Sequence, residues 1–385
     1  MSNKKILYVW KSPFPWDVRV DKICSTLAKR GYTVRILAKW DGEENKLEKI
    51  NGFEVFRAGF KKKRSLLLPI PQNPLWKKEI SRQIHDFKPD IIIPREIMLS
   101  KICSDLAGIK PVVIDMAENY PAAMKAWKKY NNSFFKRLIV HDLNYPKKVE
   151  KDAVNNADGI IVVCDEQIDR LNEYYNFDKE KICVVHNTPT NISDENNYLK
   201  SNRKKIIFGH HGHLSDEKSI KKFLIAFLRA CDIFDDIEFH IYGDGESKEE
   251  LLMISQGSKH RDKVKFFGRY NFNDLPKILN SFSVGVMPYQ INDFNQFTIH
   301  NKIFDYYSEG IPVIVSENKP QSRIVKETNS GWIINCENID EIENSILNLD
   351  RDKLEDYSIN AFNAARDKYN WESDTQKLID FIENA

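Results

Sequence analysis

The sequence is short of the features that organise small secreted, fibrous or membrane proteins. Its six cysteines, Cys24, Cys103, Cys164, Cys183, Cys231 and Cys336, form no C-x-x-C pair. Most lie inside apolar runs, where a reduced thiol packs as a small hydrophobe, which argues against a disulfide framework or a cysteine zinc site. Only 15 glycines and 15 prolines occur in 385 residues, with no fixed-period repeat or low-complexity tract, so collagen-like and disordered classes drop out. No apolar run approaches the length of a membrane span. Lys4 and Lys5 lead straight into Ile6–Trp10, which is also too short for the apolar core of a signal peptide, and a cytoplasmic location is expected. Nucleophilic triads, P-loops and the G-x-G-x-x-G fingerprint are missing, and no D-x-D triplet stands in a loop suited to a metal. No nucleic-acid partner is expected.

What is present suits a globular chain, 42% hydrophobic and 30% charged, long enough for two α/β domains. The net charge of +2 conceals an asymmetry: residues 1–190 carry 34 Lys+Arg against 24 Asp+Glu, and the remainder 24 against 32. A basic first half is either an ordinary solvated face or one that meets an anionic lipid surface or a lipid-linked phosphate.

Ile6–Trp10, Thr33–Ala38, Asp90–Ile93 and Val112–Ile114 are short apolar runs flanked by charge or proline, and read as buried parallel strands. Between the first two, Val20, Ile23, Cys24 and Leu27 recur at helical spacing before Gly31, completing one βαβ unit. Gly159–Val163 and Ile182–Val185 continue the series, and the polar stretch 187–203 reads as a linker. A second alternation follows, with strands at Ile206–Phe208, Glu238–Tyr242, Val264–Phe267, Val284–Met287 and Pro312–Val315. The expected fold class is α/β, two facing Rossmann-like doubly wound domains with an interdomain cleft. The expected boundaries are 1–190 and 204–370, with 371–385 a last helix crossing back to the first domain.

Ligands of open α/β sheets bind beyond the carboxyl ends of the strands, so the loops there carry the candidates. Gly212-His213-Leu214-Ser215-Asp216-Glu217-Lys218 follows one strand and opens a helix, bringing backbone N–H groups, an imidazole and an ammonium to where a diphosphate would be held. A solvated helix start is the plainer reading, and a zinc site of His210, His211 and His213 is disfavoured because strand neighbours face opposite ways. In the segment Thr298 to Ile314, Asn301 and Lys302 open a short helix whose start can face phosphate. Asp305, one turn on, can accept two hydrogen bonds from ribose hydroxyls.

That segment resembles the signature of glycosyltransferase family four, a polar loop and N-K-x-x-E-Y followed by G-x-P-V-I, with Asp305 in place of the usual Glu. The Gly212 loop is similar to the family's G-R-L-x-x-x-K-G, with His213 replacing Arg. Phe14-Pro15-Trp16-Asp17-Val18-Arg19-Val20 and Asp115-Met116-Ala117-Glu118-Asn119-Tyr120-Pro121 resemble its F-P-x-D-x-R-V and D-x-H-E-x-Y-P. The resemblance implies the GT-B fold and retaining transfer of a sugar from a nucleotide diphosphate sugar to a glycan or lipid-linked acceptor, and the basic first half adds the expectation of a role in bacterial surface polysaccharide synthesis. The resemblance implies neither cofactor nor obligatory metal, since helix dipoles and cations neutralise the leaving diphosphate. Gly268 and Arg269 would lie beside the base. Asp17 and Arg19 would stand on the acceptor side, Arg19 as an anion fork, although Asp17 as a helix cap explains the same pattern. Two family residues are absent: Ala117 replaces a His near the reacting carbon and Phe297 a Glu on the donor sugar. Thr298 then becomes the candidate sugar contact. Glu118 becomes the candidate acid/base, with Glu96 as its alternative; a retaining enzyme can also let the leaving diphosphate take the proton.

Lys61–Leu68 and the stretch from Met124 to Lys151, with Trp127, Phe134, Phe135, Lys128, Lys129, Lys136 and Arg137, alternate cations with large apolar groups. They suit either the inner face of an anionic membrane, making the chain peripheral there, or a core under snorkelling lysines. Two rival functions share the fold, a nucleotide-sugar 2-epimerase and a non-catalytic partner subunit.

Overall fold

The computed structural model describes residues 4–15, 17–59, 72–196 and 205–385. Trp16, the Lys61–Leu68 run and the side chains of Lys128 and Lys129 lie outside this description. The chain divides into two compact units, Met1–Val185 with Thr375–Ala385, and His186–Asp374.

In the first unit the strands are β1 (Lys5–Val9), β2 (Thr33–Lys39), β3 (Leu47–Ile50), β4 (Phe53–Ala58), β5 (Ile91–Pro94), β6 (Val113–Met116), β7 (Gly159–Val162) and β8 (Ile182–Val184). They form the orders β3-β4-β2-β1-β5 and β6-β7-β8, and parallel bridges Ile92–Val112 and Arg95–Asp115 carry the pairing from β5 to β6. All pairs but β3–β4 are parallel. β1 is buried from Ile6 to Val9, as a strand covered on both faces must be. The helix Val18–Lys29 starts on Asp17, whose carboxylate accepts from the N–H groups of Arg19 (2.9 Å) and Val20 (3.2 Å). It buries Val20, Ile23, Cys24 and Leu27, each apolar side chain contributing roughly 1.5–3 kcal/mol. The antiparallel β3–β4 hairpin is additional to the strands expected above. Its Asn51-Gly52 turn has both φ angles positive, 47° and 91°, the geometry that pair of residues favours.

The second unit is a six-stranded parallel sheet of β9 (Ile206–His211), β10 (Ile237–Tyr242), β11 (Val264–Gly268), β12 (Val284–Met287), β13 (Val313–Ser316) and β14 (Gly331–Ile334). Its order is β11-β10-β9-β12-β13-β14, so the winding reverses between β9 and β12. Under it, Phe208, Phe223, Phe227 and Phe239 pack edge-on or tilted with centroids 5.2–5.9 Å apart. The described part of the polar stretch 187–203 is packed rather than loose: Ser193 Oγ donates to Glu309 at 2.8 Å, and Asn196 Nδ2 to Ser358 Oγ at 3.0 Å. The last helix runs Trp371–Glu383, and its portion from Thr375 onward clusters with the first unit.

Candidate functional site

Sequence places Gly212 directly after β9 and Tyr289 two residues after β12, so both stand where the sheet's winding reverses, the position at which such sheets bind ligands. Two ammonium groups meet on the Tyr289 ring, Lys218 Nζ at 4.4 Å and Lys302 Nζ at 5.9 Å from its centroid. Gly212 is at φ +102°, and a Cβ there would lie 2.7 Å from Lys302 Cε, so the missing side chain makes the room that the lysine occupies. Its loop is held by backbone bonds from Gly212 N to Tyr242 O (2.8 Å) and from Leu214 N to Asp244 O (3.0 Å). That assigns the Gly243-Asp244-Gly245 turn a supporting part. Lys302 and Asp305 are one turn apart on helix Lys302–Ser308 and therefore share a face. Burial, joined by the charge of Lys218, brings the Lys302 pKa down to about 7 against the opposing pull of Asp305 and Glu217.

Three histidines surround these cations. His210 Nδ1 lies 2.9 Å from the Val286 carbonyl, which can only accept, so the ring carries its proton there. His211 Nδ1 lies 3.0 Å from the Tyr270 hydroxyl and its Nε2 is 3.8 Å from Asp305 Oδ2. His300 sets its edge on Tyr289 at 4.2 Å and bonds Asn295 at 2.9 Å. Burial, then the neighbouring lysines, pushes all three imidazoles toward neutrality, His210 to about 3. Among the described residues no three His, Cys, Asp or Glu side chains are grouped to hold a metal. The zinc reading falls further because His213 faces outward, 3.0 Å from Glu246.

The other donor-side candidates are more dispersed. His213 is exposed and paired with Glu246, and Arg269, its side chain 86% exposed, reaches Asp244 at 3.1 Å. Both side chains thus face a carboxylate rather than standing as open clamps. Gly268, at φ +71°, ends β11 and its carbonyl accepts from Gly243 N at 2.7 Å. Beside it Phe267 stacks on Tyr242, centroids 4.2 Å apart and planes 6° apart. Thr298 is buried and Asn301 exposed at the start of the Lys302 helix. At the position of the missing Glu, the Phe297 ring lies under the Lys319 ammonium at 5.5 Å.

In the first unit the structure corrects the part expected of Arg19. Its guanidinium is buried and already occupied, Nε on Asp115 Oδ1 at 2.9 Å and an Nη on the Val185 carbonyl at 2.8 Å, so no fork remains for an outside anion. Asp115 also accepts from Tyr8 at 2.6 Å and lies 3.6 Å from Arg95. Burial alone would raise the Asp115 pKa, but Arg19 and Arg95 outweigh it and hold it below the usual value. Asp17 caps its helix and lies 3.4 Å from Arg95. Glu118 is half-buried in the loop after β6. Glu96 is built in more firmly. It is buried, sits at φ +64° just past β5, and is bonded by Lys11 and Tyr120, themselves 2.5 Å apart. A non-glycine residue held in that region carries backbone strain of the kind concentrated at functional sites. Of the two carboxylates named, Glu96 is the more firmly held.

Sequence reasoning missed Tyr289, Tyr270 and Lys11, and weighed His211 only as a zinc ligand. Tyr289 and Lys11 could have been found by reading the loops after Val284–Met287 and Ile6–Trp10 as closely as the others.

Two doubly wound sheets in tandem along the chain make the GT-B architecture. A solved HepE structure from Anabaena in complex with UDP matches with a TM-score of 0.71 at 15% identity, covering 99% of this chain and 100% of that one, a likeness of fold. The family described as Glycosyltransferase Family 4 matches residues 17–188, and that described as Glycosyl transferases group 1 matches 205–352. Spanned by the two in tandem, the chain belongs to the GT-B glycosyltransferases of the family-four type. The poly(ribitol-phosphate) alpha-N-acetylglucosaminyltransferase of Staphylococcus aureus (strain COL) is 25% identical over 243 residues, 61% of this chain and 46% of that protein. The UDP-Gal:alpha-D-GlcNAc-diphosphoundecaprenol alpha-1,3-galactosyltransferase of Escherichia coli is 27% identical over 154 residues, 40% of this chain and 38% of that protein. The matched stretches span less than half the length of either relative.

Proposed function

We propose that this chain transfers a sugar, with retention, from a nucleotide diphosphate sugar to a glycan or lipid-linked acceptor used in bacterial surface polysaccharide synthesis. The observation that carries the reading is the pair of ammonium groups of Lys218 and Lys302 on one aromatic face, with Asp305 one turn beyond. Two cations brought together at low dielectric repel, and a diphosphate relieves that repulsion. In this reading they neutralise the leaving diphosphate without a metal, and Asp305 holds the ribose. Glu96 or Glu118 in the first unit, or the leaving phosphate itself, takes the acceptor proton. The names of the two relatives, with poly(ribitol-phosphate) and diphosphoundecaprenol acceptors, favour an anionic polymer or lipid carrier.

The test is a thermal-shift and calorimetric screen of UDP, GDP and their sugars against wild type, Lys218→Ala and Asp305→Ala. Binding by wild type that weakens at least ~10-fold in each variant, about 1.4 kcal/mol, supports the site. Unchanged binding in both would overturn it. Conversion of the nucleotide sugar without any acceptor, at constant mass, would instead mark an epimerase.

A further inference from the structure

We infer that residues 134–148 of the first unit form a lipid-docking face that seats this chain on an anionic membrane surface. The inference deepens the lipid-linked acceptor proposed above. Six of the sixteen large apolar side chains exposed among the described residues fall within twelve positions: Phe134, Phe135, Leu138, Ile139, Leu143 and Tyr145. Phe134 and Phe135 are 76% and 74% exposed, values that exclude the core reading of this segment. The backbone contributes to the display. One α-turn at Phe134–Arg137 runs into a wider π-turn at Leu138–Asp142, closed by Leu143 N on Leu138 O at 2.9 Å, and only Val140 of this run is buried. Widened turns of that kind are uncommon and recur at functional sites.

Charge identifies the partner. Lys136, Arg137, Lys147, Lys148 and Lys151 are exposed along the same stretch, against Asp142 as its one exposed acid before Asp152. Glu150 is buried on Arg170 at 2.7 Å and offers no surface charge. Aromatic and aliphatic side chains interleaved with cations match an interface in which rings enter the acyl boundary and ammonium groups stay among anionic headgroups. Trp127, expected to share this face, does not. It is half-buried, edge-on to Tyr120 at 6.0 Å and stacked on Tyr130 at 6.1 Å. It instead ties the face inward. His141 bonds Asn131 at 2.7 Å, Asn131 bonds the Lys125 carbonyl at 2.9 Å, and Tyr120 bonds Glu96. The segment therefore stands on packed side chains that run by way of Asn131, Trp127 and Tyr120 to Glu96.

The test is co-sedimentation of the full chain with vesicles of phosphatidylcholine alone or mixed with phosphatidylglycerol. Wild type is expected to pellet with the mixed vesicles only. Phe134→Ser/Phe135→Ser and Lys136→Glu/Arg137→Glu should each lose at least ~10-fold in partitioning, the second with loss of salt dependence. Both should keep the nucleotide-induced thermal shift, which separates failure of this inference from failure of the donor site. As a second measurement, the fluorescence that Phe134→Trp adds to that of wild type should be quenched by brominated lipid. Wild type indifferent to anionic lipid, added fluorescence in the F134W variant that brominated lipid leaves unquenched, or variants that change the oligomeric state and not vesicle binding would each overturn the inference.

Discussion

The imidazole of His211 stands between two acidic partners, its Nδ1 3.0 Å from the Tyr270 hydroxyl and its Nε2 3.8 Å from the Asp305 carboxylate. Burial and the charge of Asp305 push the Tyr270 hydroxyl up to about 12, so it stays protonated, and the ring is neutral. A lone pair on Nε2 would face the carboxylate with like sign, so the stable arrangement has Tyr270 donating to Nδ1 and the ring proton on Nε2. At 3.8 Å the Nε2–H group and Asp305 interact as dipole and ion. His211→Phe preserves the ring but removes that orienting dipole. Affinity for a nucleoside diphosphate should fall by ~5-fold, about 1 kcal/mol, while affinity for inorganic pyrophosphate, which has no ribose for Asp305, should not change. Calorimetry with both ligands decides; an equal loss for both would show His211 serving the diphosphate instead.

Lys302 makes binding proton-linked. With a pKa of about 7 it is largely neutral at pH 8 in the free protein, and an arriving diphosphate restores its charge. Binding should then take up close to one proton at pH 8 and almost none at pH 6. Affinity should fall as pH rises above 7, by up to about 1.4 kcal/mol per pH unit. Calorimetry in buffers of different ionisation enthalpy reads the uptake directly, and Lys302→Met should abolish it. The sign for stability is opposite. Because the folded-state pKa lies below the unfolded value, the ligand-free protein gains stability from this group between about pH 7 and 10.

The uneven legibility of these residues has a physical basis. Lys218, Lys302 and Asp305 announce themselves because each follows a recognisable strand or opens a helix, so local pattern alone sets them at the carboxyl end of a sheet. Five of the six strands of the second unit are legible for the same reason, with edges moved by a residue or two and β9 extended to His211, whereas the edge strand β14 is not among those expected. What local pattern does not contain is partner choice. Arg19 looks like an open fork until the fold brings Asp115, 96 positions away, onto its Nε. His213 looks like a clamp until the Gly245 turn presents Glu246. The exposure of Phe134 beside the half-burial of Trp127 is likewise a tertiary outcome, since both lie in the same cationic stretch.

Arg19 should therefore act on stability. Arg19→Ala leaves the buried Asp115 carboxylate with Arg95 and Tyr8, and truncating one partner of a buried pair costs roughly 3–5 kcal/mol. The Asp115 pKa is lowered in the folded protein, so its contribution is present above the unfolded value and is lost as pH falls through the folded one. Without Arg19 burial raises that pKa, and acid unfolding should begin at higher pH. Denaturant titrations at pH 7 and pH 4.5 measure both effects. A variant as stable as wild type but deficient in turnover would return Arg19 to the acceptor site.

Gly212 and Gly268 form a matched pair for separating backbone strain from loss of the lysine's space. Both have positive φ, +102° and +71°, so alanine at either position adds strain of about 1 kcal/mol or more. At Gly268 the added Cβ meets nothing within 4 Å, whereas at Gly212 it comes within 2.7 Å of Lys302 Cε and 3.0 Å of Nζ. The ammonium must then leave its place over Tyr289. Gly268→Ala is expected to lower thermal stability slightly and leave diphosphate affinity within ~2-fold of wild type, whereas Gly212→Ala should weaken that affinity ~10-fold or more and abolish proton uptake at pH 8. Parallel melting curves and calorimetry on the two variants make the comparison. If both lose affinity equally, the cost is loop strain shared by the two turns, and the space at Gly212 is not what holds Lys302 ready for the phosphate.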